Sequence, residues 1–178
     1  LYITNGYDEV LALKAESGEI IWRKDIPAPS RAAPTIMDDK LYVSTRDNRL
    51  LALNPETGEV LWKQEGFSGS SGLVGAASPA ANRDIVVPAF TSGEIVALRA
   101  ANGSVAWSDN LSSIRSSSSG LSTLSDMRAM PVVDKGLVIA ISFSGRLVAI
   151  DERTGSRVWQ REISGTQMTL DSELRGHG

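Results

Sequence analysis

Nucleophilic, acid–base and metal chemistry would have to be built here from a narrow set of side chains. The sequence has no cysteine and one histidine, His177, next to the last residue. Without thiolates there is no disulfide framework, iron–sulfur cluster or thiolate zinc site. The serine run 116–119 before Gly120 offers hydroxyls, but no histidine or lysine base accompanies it, and an unassisted serine is a weak nucleophile. The carboxylates Asp38, Asp39, Asp47, Glu56, Asp151 and Glu152 fall among turn residues, not in an Asp-x-Asp-x-Asn cluster that would hold a hard cation. Solvated turns account for them. No glycine-rich loop follows a strand and opens a helix, so a phosphate cradle is missing. The expectation is a chain with no catalytic residue, no metal site and no bound cofactor, in which His177 belongs to a tail.

Bulk properties narrow the classes further. The 178 residues are 42% hydrophobic, with a net charge of -3 and a pI of about 5.2. That is enough apolar material for a core and too little positive charge for a nucleic-acid surface. The longest apolar run, "GLVIAISF" at 136–143, has the length of a strand and falls well short of the roughly 20 residues that span a bilayer as a helix. The sequence opens directly in "LYIT", with no positively charged leader; either the protein is cytosolic or a targeting segment lies outside this sequence, and the chain's internal repeats favour the second.

The elements that position these residues form a repeat. "DEVLALKAESGEIIW" (8–22), "NRLLALNPETGEVLW" (48–62), "GEIVALRAANGSVAW" (93–107) and "GRLVAIDERTGSRVW" (145–159) align without gaps. Each carries an alanine (Ala12, Ala52, Ala97, Ala149), a glycine six residues later (Gly18, Gly58, Gly103, Gly155) and a tryptophan four after that (Trp22, Trp62, Trp107, Trp159). These are all four tryptophans of the chain. Upstream, a proline precedes a second apolar run by seven residues at Pro34, Pro79 and Pro131. Successive tryptophans are 40, 45 and 52 residues apart, and the differences fall between the tryptophan and the next proline.

Each unit reads as four short strands, in the second repeat over about 32–37, 40–46, 49–54 and 59–65, separated by the turn signals "MDDK", "RDNR" and "NPETGE". Pro55 presets a type I turn and Gly58 supplies the positive φ that closes a hairpin with a bulge. A repeat of this length with four strands predicts an all-β chain of four-stranded antiparallel β-propeller blades. The blades are expected at about 1–26, 31–66, 76–111 and 128–163, the repeat domain at 1–165, and a tail or the start of a further blade at 166–178. Blades packed face to face diverge toward their outer edges. A flat indole on the outer strand fills that gap, given a small residue and an exposed peptide opposite, which alanine and glycine supply. Trp22, Trp62, Trp107 and Trp159, with Gly18, Gly58, Gly103 and Gly155, are therefore read as structural docking residues and not as a ligand site.

This spacing resembles the tryptophan-docking repeat of the quinoprotein-type (PQQ-like) propellers and, within them, the BamB family of outer-membrane assembly lipoproteins. The resemblance covers nearly all of residues 1–165. Two connecting segments carry it most specifically, "SGLVGAASPA" (71–80) and "LSTLSDMRAMPVV" (121–133). In that family these loops help bind the periplasmic domains of BamA. Carried over by position, Leu73 matches a loop leucine and Val74 stands where arginine is often found. Leu124, Ser125 and Asp126 match a Leu-Ser-Asp segment, and Arg128 stands where a second acid is found. Eight blades in the family imply that four repeats are about half a ring, that the natural protein is longer, and that these 178 residues either pair with a second copy or are a fragment of a larger protein. The resemblance also implies a non-catalytic scaffold of the β-barrel assembly machinery at the periplasmic face of the outer membrane. It would meet BamA, other machinery subunits and unfolded outer-membrane proteins, bind no nucleic acid, and touch the membrane only through a lipid anchor outside this sequence.

The residues themselves single out the longer connection. Residues 108–130 are serine-rich and interleave Ile114, Leu121, Leu124, Met127 and Met130 with Arg115, Asp126 and Arg128. That mixture suits a protein interface, although a solvated insertion has a similar composition. Two other functions stay open for the repeat: a quinone-dependent dehydrogenase-like propeller, which would need a calcium site and a catalytic aspartate, and an extracytoplasmic sensor or ligand-binding propeller.

Overall fold

A computed structural model of the chain describes residues 1–65, 77–89, 94–111, 130–141 and 145–163. Among them the regular elements are fifteen strands in four antiparallel sheets. The first sheet holds β1 (Tyr2–Thr4), β2 (Glu9–Leu13) and β3 (Ile20–Asp25). The second holds β4 (Thr35–Met37), β5 (Lys40–Ser44), β6 (Arg49–Leu53) and β7 (Val60–Glu65). The third holds β8 (Ala80–Ala81), β9 (Ile85–Val87), β10 (Glu94–Arg99) and β11 (Val105–Asn110), and the fourth β12 (Val132–Asp134), β13 (Leu137–Ile141), β14 (Arg146–Asp151) and β15 (Arg157–Glu162). Strands pair in chain order within each sheet, which is the meander of a propeller blade. In the second blade the inner strand begins at Thr35, later than the sequence pattern suggests. Pro34 has no N–H to give to a ladder, and the Ala32 carbonyl just before it accepts the Thr4 hydroxyl of the first blade at 3.2 Å.

The apolar cores lie between blades rather than within them. Val10 and Ile26 of the first blade region meet Leu41, Val43, Leu51 and Leu53 of the second. On the other face of that second sheet, Tyr42, Leu50 and Ala52 meet Val86, Val96 and Leu98 of the third. Ile85, Val87, Ile95 and Ala97 then face Val138, Ala140, Val148 and Ile150 of the fourth. Side chains alternate faces along a strand, so Leu51 and Leu53 serve one interface while Leu50 and Ala52 serve the next. This explains why β6, β9 and β10 are apolar runs with both faces buried, whereas β2 alternates. Near the axis the inner strands are tied as well: the Thr35 hydroxyl donates to the Pro79 carbonyl at 2.6 Å.

The outer hairpin is built the same way in every blade. Ala12, Ala52, Ala97 and Ala149 pair directly with Trp22, Trp62, Trp107 and Trp159, and the register slips immediately after each alanine. The extra residue is the one before each tryptophan, Ile21, Leu61, Ala106 and Val158, and the preceding turn is closed by Gly18, Gly58, Gly103 and Gly155, whose φ values of 72–74° lie in the left-handed region that glycine enters without steric cost. In the second blade Asn54 Oδ1 accepts the N–H of Glu56 at 2.8 Å, and Gly58 N–H returns to the Asn54 carbonyl at 2.8 Å. Asp151 does the same in the fourth, taking Thr154 N–H and hydroxyl on Oδ1, and these bonds hold its carboxyl below the usual range.

Antiparallel meanders separate the connections onto two rims. The β2–β3, β6–β7, β10–β11 and β14–β15 turns, with the β4–β5, β8–β9 and β12–β13 turns, lie on one. The strand ends joined between β1 and β2, β5 and β6, β9 and β10, and β13 and β14 lie on the other, as do the strand ends from which each blade-to-blade connection leaves and to which it returns.

Tyr42 gives this core a pH signature. Its ring is 1% exposed and lies 5.9 Å from Trp62. Burial, with the charges of Asp39 and Asp38 nearby, pushes its phenol up to about 12. In the unfolded chain the phenol ionises near pH 10, so between about pH 10 and 12 the unfolded state binds fewer protons and stability falls as pH rises. Denaturant titrations from pH 8 upward should show that decline, and Tyr42→Phe should flatten it.

Candidate functional site

Two features shape what this chain can present to other molecules: the latch between blades and the rim that carries the connections. The indole of Trp22 lies over Gly58 of the following blade and donates its N–H to the Pro55 carbonyl at 2.9 Å. Trp62 lies over Gly103 and donates to Ala100 at 3.0 Å. Trp107 lies over Gly155 and donates to Glu152 at 2.7 Å. The glycine under each indole thus belongs to the next repeat, and the acceptor is always three residues before it. A Cβ on these glycines would stand 2.8, 2.5 and 2.7 Å from the ring system or its Cβ, closer than carbon atoms tolerate. Gly18 has no heavy atom within 4 Å of such a Cβ. Trp159 lines a shallow surface hollow with Leu147, Arg161, Glu162 and Ile163.

The latch has an outer brace at the third interface. Arg157 Nε and Nη2 hold both oxygens of Asp109 at 2.6 and 2.9 Å, and Nη2 also reaches the Asn110 carbonyl at 2.7 Å. A bidentate guanidinium–carboxylate pair fixes orientation as well as distance.

The strand ends on the opposite rim bound the connections on which the sequence places partner contacts. Leu73, Val74, Leu124, Asp126 and Arg128 all lie outside the described residues, as does His177. The posts from which the two connections leave are described. The longer one leaves from Leu111, 1% exposed and part of the third core, and re-enters at Val132, 6% exposed. Met130 beside that post is 43% exposed. The shorter one re-enters at the buried Pro79, whose carbonyl is held by Thr35. The first connection of the series, 27–34, is tied down between turns: Ile26 N–H bonds the Asp8 carbonyl at 2.7 Å, and Arg46 N–H bonds the Pro29 carbonyl at 2.8 Å.

The acidic residues singled out in the sequence serve turns and ion pairs. Asp38 faces Arg83 at 3.3 Å and Asp39 faces Lys40 at 2.7 Å. Asp47 pairs with Arg49 at 3.1 Å and Asp151 caps its own turn. Glu152 accepts the Asn82 amide at 2.8 Å. Among the described residues no group of three or more acids or histidines is placed to hold a metal ion.

Comparison with known proteins agrees with this architecture. The family model described as "Outer membrane protein assembly factor BamB" matches residues 1–173. The protein of that name from Escherichia coli K12 is 32% identical over 163 residues, which is 92% of this chain and 41% of the relative. Its Yersinia pestis counterpart is 26% identical over 163 residues, with the same shares. The chain thus spans about two fifths of these relatives. The crystal structure of BamB from Moraxella catarrhalis superposes with a TM-score of 0.78 at 26% identity, covering 92% of this chain and 49% of that one. The quinohemoprotein alcohol dehydrogenase of Comamonas testosteroni superposes with a TM-score of 0.70 at 19% identity, over 90% of this chain and 33% of its own. At that identity the likeness is one of fold.

The latch geometry separates two substitutions of the same type. Gly18→Ala meets only the cost of a left-handed alanine, about 1–2 kcal/mol. Gly103→Ala adds a clash with Trp62 and should cost about 1–3 kcal/mol more. Denaturant unfolding of the two variants measures the gap, and a shifted tryptophan emission in the Gly103 variant alone would report the displaced indole.

Proposed function

The chain belongs to the BamB family of outer membrane protein assembly factors, and on that premise we propose that it is a non-catalytic interaction module of the β-barrel assembly machinery. The match of the family model along residues 1–173 carries this reading. In it, the blades act as a rigid frame and the rim opposite the latches docks the periplasmic domains of BamA. Leu73, Val74, Leu124, Asp126 and Arg128 supply the contacts, with other machinery subunits and unfolded outer-membrane proteins as further partners at the periplasmic face of the outer membrane.

Physical features support the division of labour. Each latch places a hydrogen bond and a packed indole at the outer hairpins, where consecutive blades are held together without the residues assigned to partner contacts. The posts at Leu111 and Val132 are buried, which fixes where the connection leaves and returns. An exposed methionine beside such a post adapts its shape to a partner surface, and apolar residues interleaved with charges give the mixed character of a protein interface. Asp38, Asp39 and Asp47 stand in ion pairs, Asp151 caps its own turn and Glu152 accepts the Asn82 amide.

The test is a pull-down with the periplasmic domains of BamA. Wild-type chain should retain them and Leu124→Ala/Asp126→Ala should lose most of the retained material, with unchanged circular dichroism. Loss of about 1–2 kcal/mol at each of the two truncated contacts corresponds to about thirtyfold to nearly thousandfold weaker binding overall. Equal capture by both chains would place the contact elsewhere, and capture by neither would remove the BamA reading.

A further inference from the structure

The rim that carries the latch turns holds a cleft of about 460 Å³ between the third and fourth blades. Ile85, Ala101 and Ala106 give it an apolar lining, and three arginines line it as well: Arg83 on the β8–β9 turn, Arg99 at the end of β10 and Arg153 on the β14–β15 turn. In a chain with a net charge of -3 such a grouping is local and unusual.

The repeat serves as its own control. The residue just before the tryptophan is a large aliphatic in the other blades, Ile21, Leu61 and Val158, each lying on the surface with 57, 47 and 57% exposure. In the third blade it is Ala106, and the missing side chain opens the hollow. The position of Arg99 is occupied by Lys14, Asn54 and Asp151 elsewhere, and that of Arg153 by Glu16, Glu56 and Ala101. Only at this interface do two arginines from adjacent blades meet a shortened lining residue.

The charges are unequally committed. Arg83 is paired with Asp38, and Glu152 accepts the Asn82 amide. Asp151, the acid beside Arg153, already takes two backbone N–H groups and the Thr154 hydroxyl. Among the described residues neither Arg99 nor Arg153 forms an ion pair. Asp84 also lines the cleft. Two guanidiniums without an ion pair, beside the carboxylates of Asp84 and Glu152 and with Asp151 near Arg153, disfavour a multiply charged phosphate. They suit a carboxylate, which arginine binds in a bidentate fork, accompanied by peptide N–H groups that the acids accept. The volume falls in the range of small ligand sites, and the apolar lining takes a side chain next to the carboxylate.

We propose that this cleft docks an acidic peptide segment, its carboxylate held by Arg99 and Arg153 and its neighbouring apolar side chain seated over Ile85 and Ala106. The site is on the opposite rim from the BamA-facing loops and is independent of that reading.

The probe is a short fluorescein-labelled peptide of alternating glutamate and leucine, followed by anisotropy at low ionic strength, with a glutamine-for-glutamate version as control. The full chain should bind the acidic peptide saturably and the control at least about tenfold more weakly. Arg99→Ala/Arg153→Ala should weaken binding by about tenfold or more. Ala106→Leu, which restores what the second blade carries, should abolish it without unfolding the chain. In a nitrogen–proton spectrum the indole signal of Trp107, bonded to the Glu152 carbonyl at the cleft edge, should shift while those of Trp22 and Trp62 stay. Absence of saturable binding, equal binding of both peptides, or binding unaffected by Ala106→Leu would overturn the proposal.

Discussion

An indole laid on a bare peptide holds this chain together. The contact asks for three things at once: a residue without a Cβ, a backbone in the left-handed region, and a free carbonyl three residues earlier to accept the ring N–H. Glycine answers the first two, and a tight turn closing on its own first carbonyl leaves the third unspent. The net worth of one such hydrogen bond is modest, about 1 kcal/mol. The ring burial that accompanies it is larger, and truncating a buried tryptophan typically costs about 3–5 kcal/mol. The bulge after the paired alanine sets the indole at the edge of its own sheet, where it reaches the next.

Because the apolar clusters straddle interfaces, no blade owns a core. Leu51 and Leu50 are neighbours in sequence yet belong to different clusters, and the same holds for Val86 and Val87. Stability of such a series is a sum of nearest-neighbour terms, and each latch closes one of those terms at the outer edge while Thr4 and Thr35 close it near the axis.

Much of this was legible in the sequence, because the repeat offers four readings of one design. Blade count, strand number, the alanine–tryptophan pairing and the positive φ at glycine all follow from the aligned spacing. The partner of each indole did not. Within one repeat the glycine stands four residues before the tryptophan, and only the packing of consecutive sheets shows that the ring crosses to the following turn. The inner strand began late because Ala32, Ala33 and Pro34 are poor strand formers and the Ala32 carbonyl is taken by the neighbouring blade. Ala106 was visible as a departure from its slot, but a small residue at an exposed position says little until its neighbours prove to be arginines. The contacts assigned to Leu73, Val74, Leu124, Asp126 and Arg128 rest on resemblance and composition, since those residues lie outside the described ones.

From each proline to the following tryptophan the count is 28 residues in every complete repeat, while the stretch from tryptophan to proline grows from 12 to 17 to 24. The strand ends that this growth joins lie on the rim away from the latches. The chain therefore has an address for novelty: length and composition change at one end of the blades while every distance that keeps them stacked stays constant. For an engineer this makes the outer-to-inner connection the place to graft a foreign recognition segment, and makes the turns with Gly58, Gly103 and Gly155 the places to leave alone.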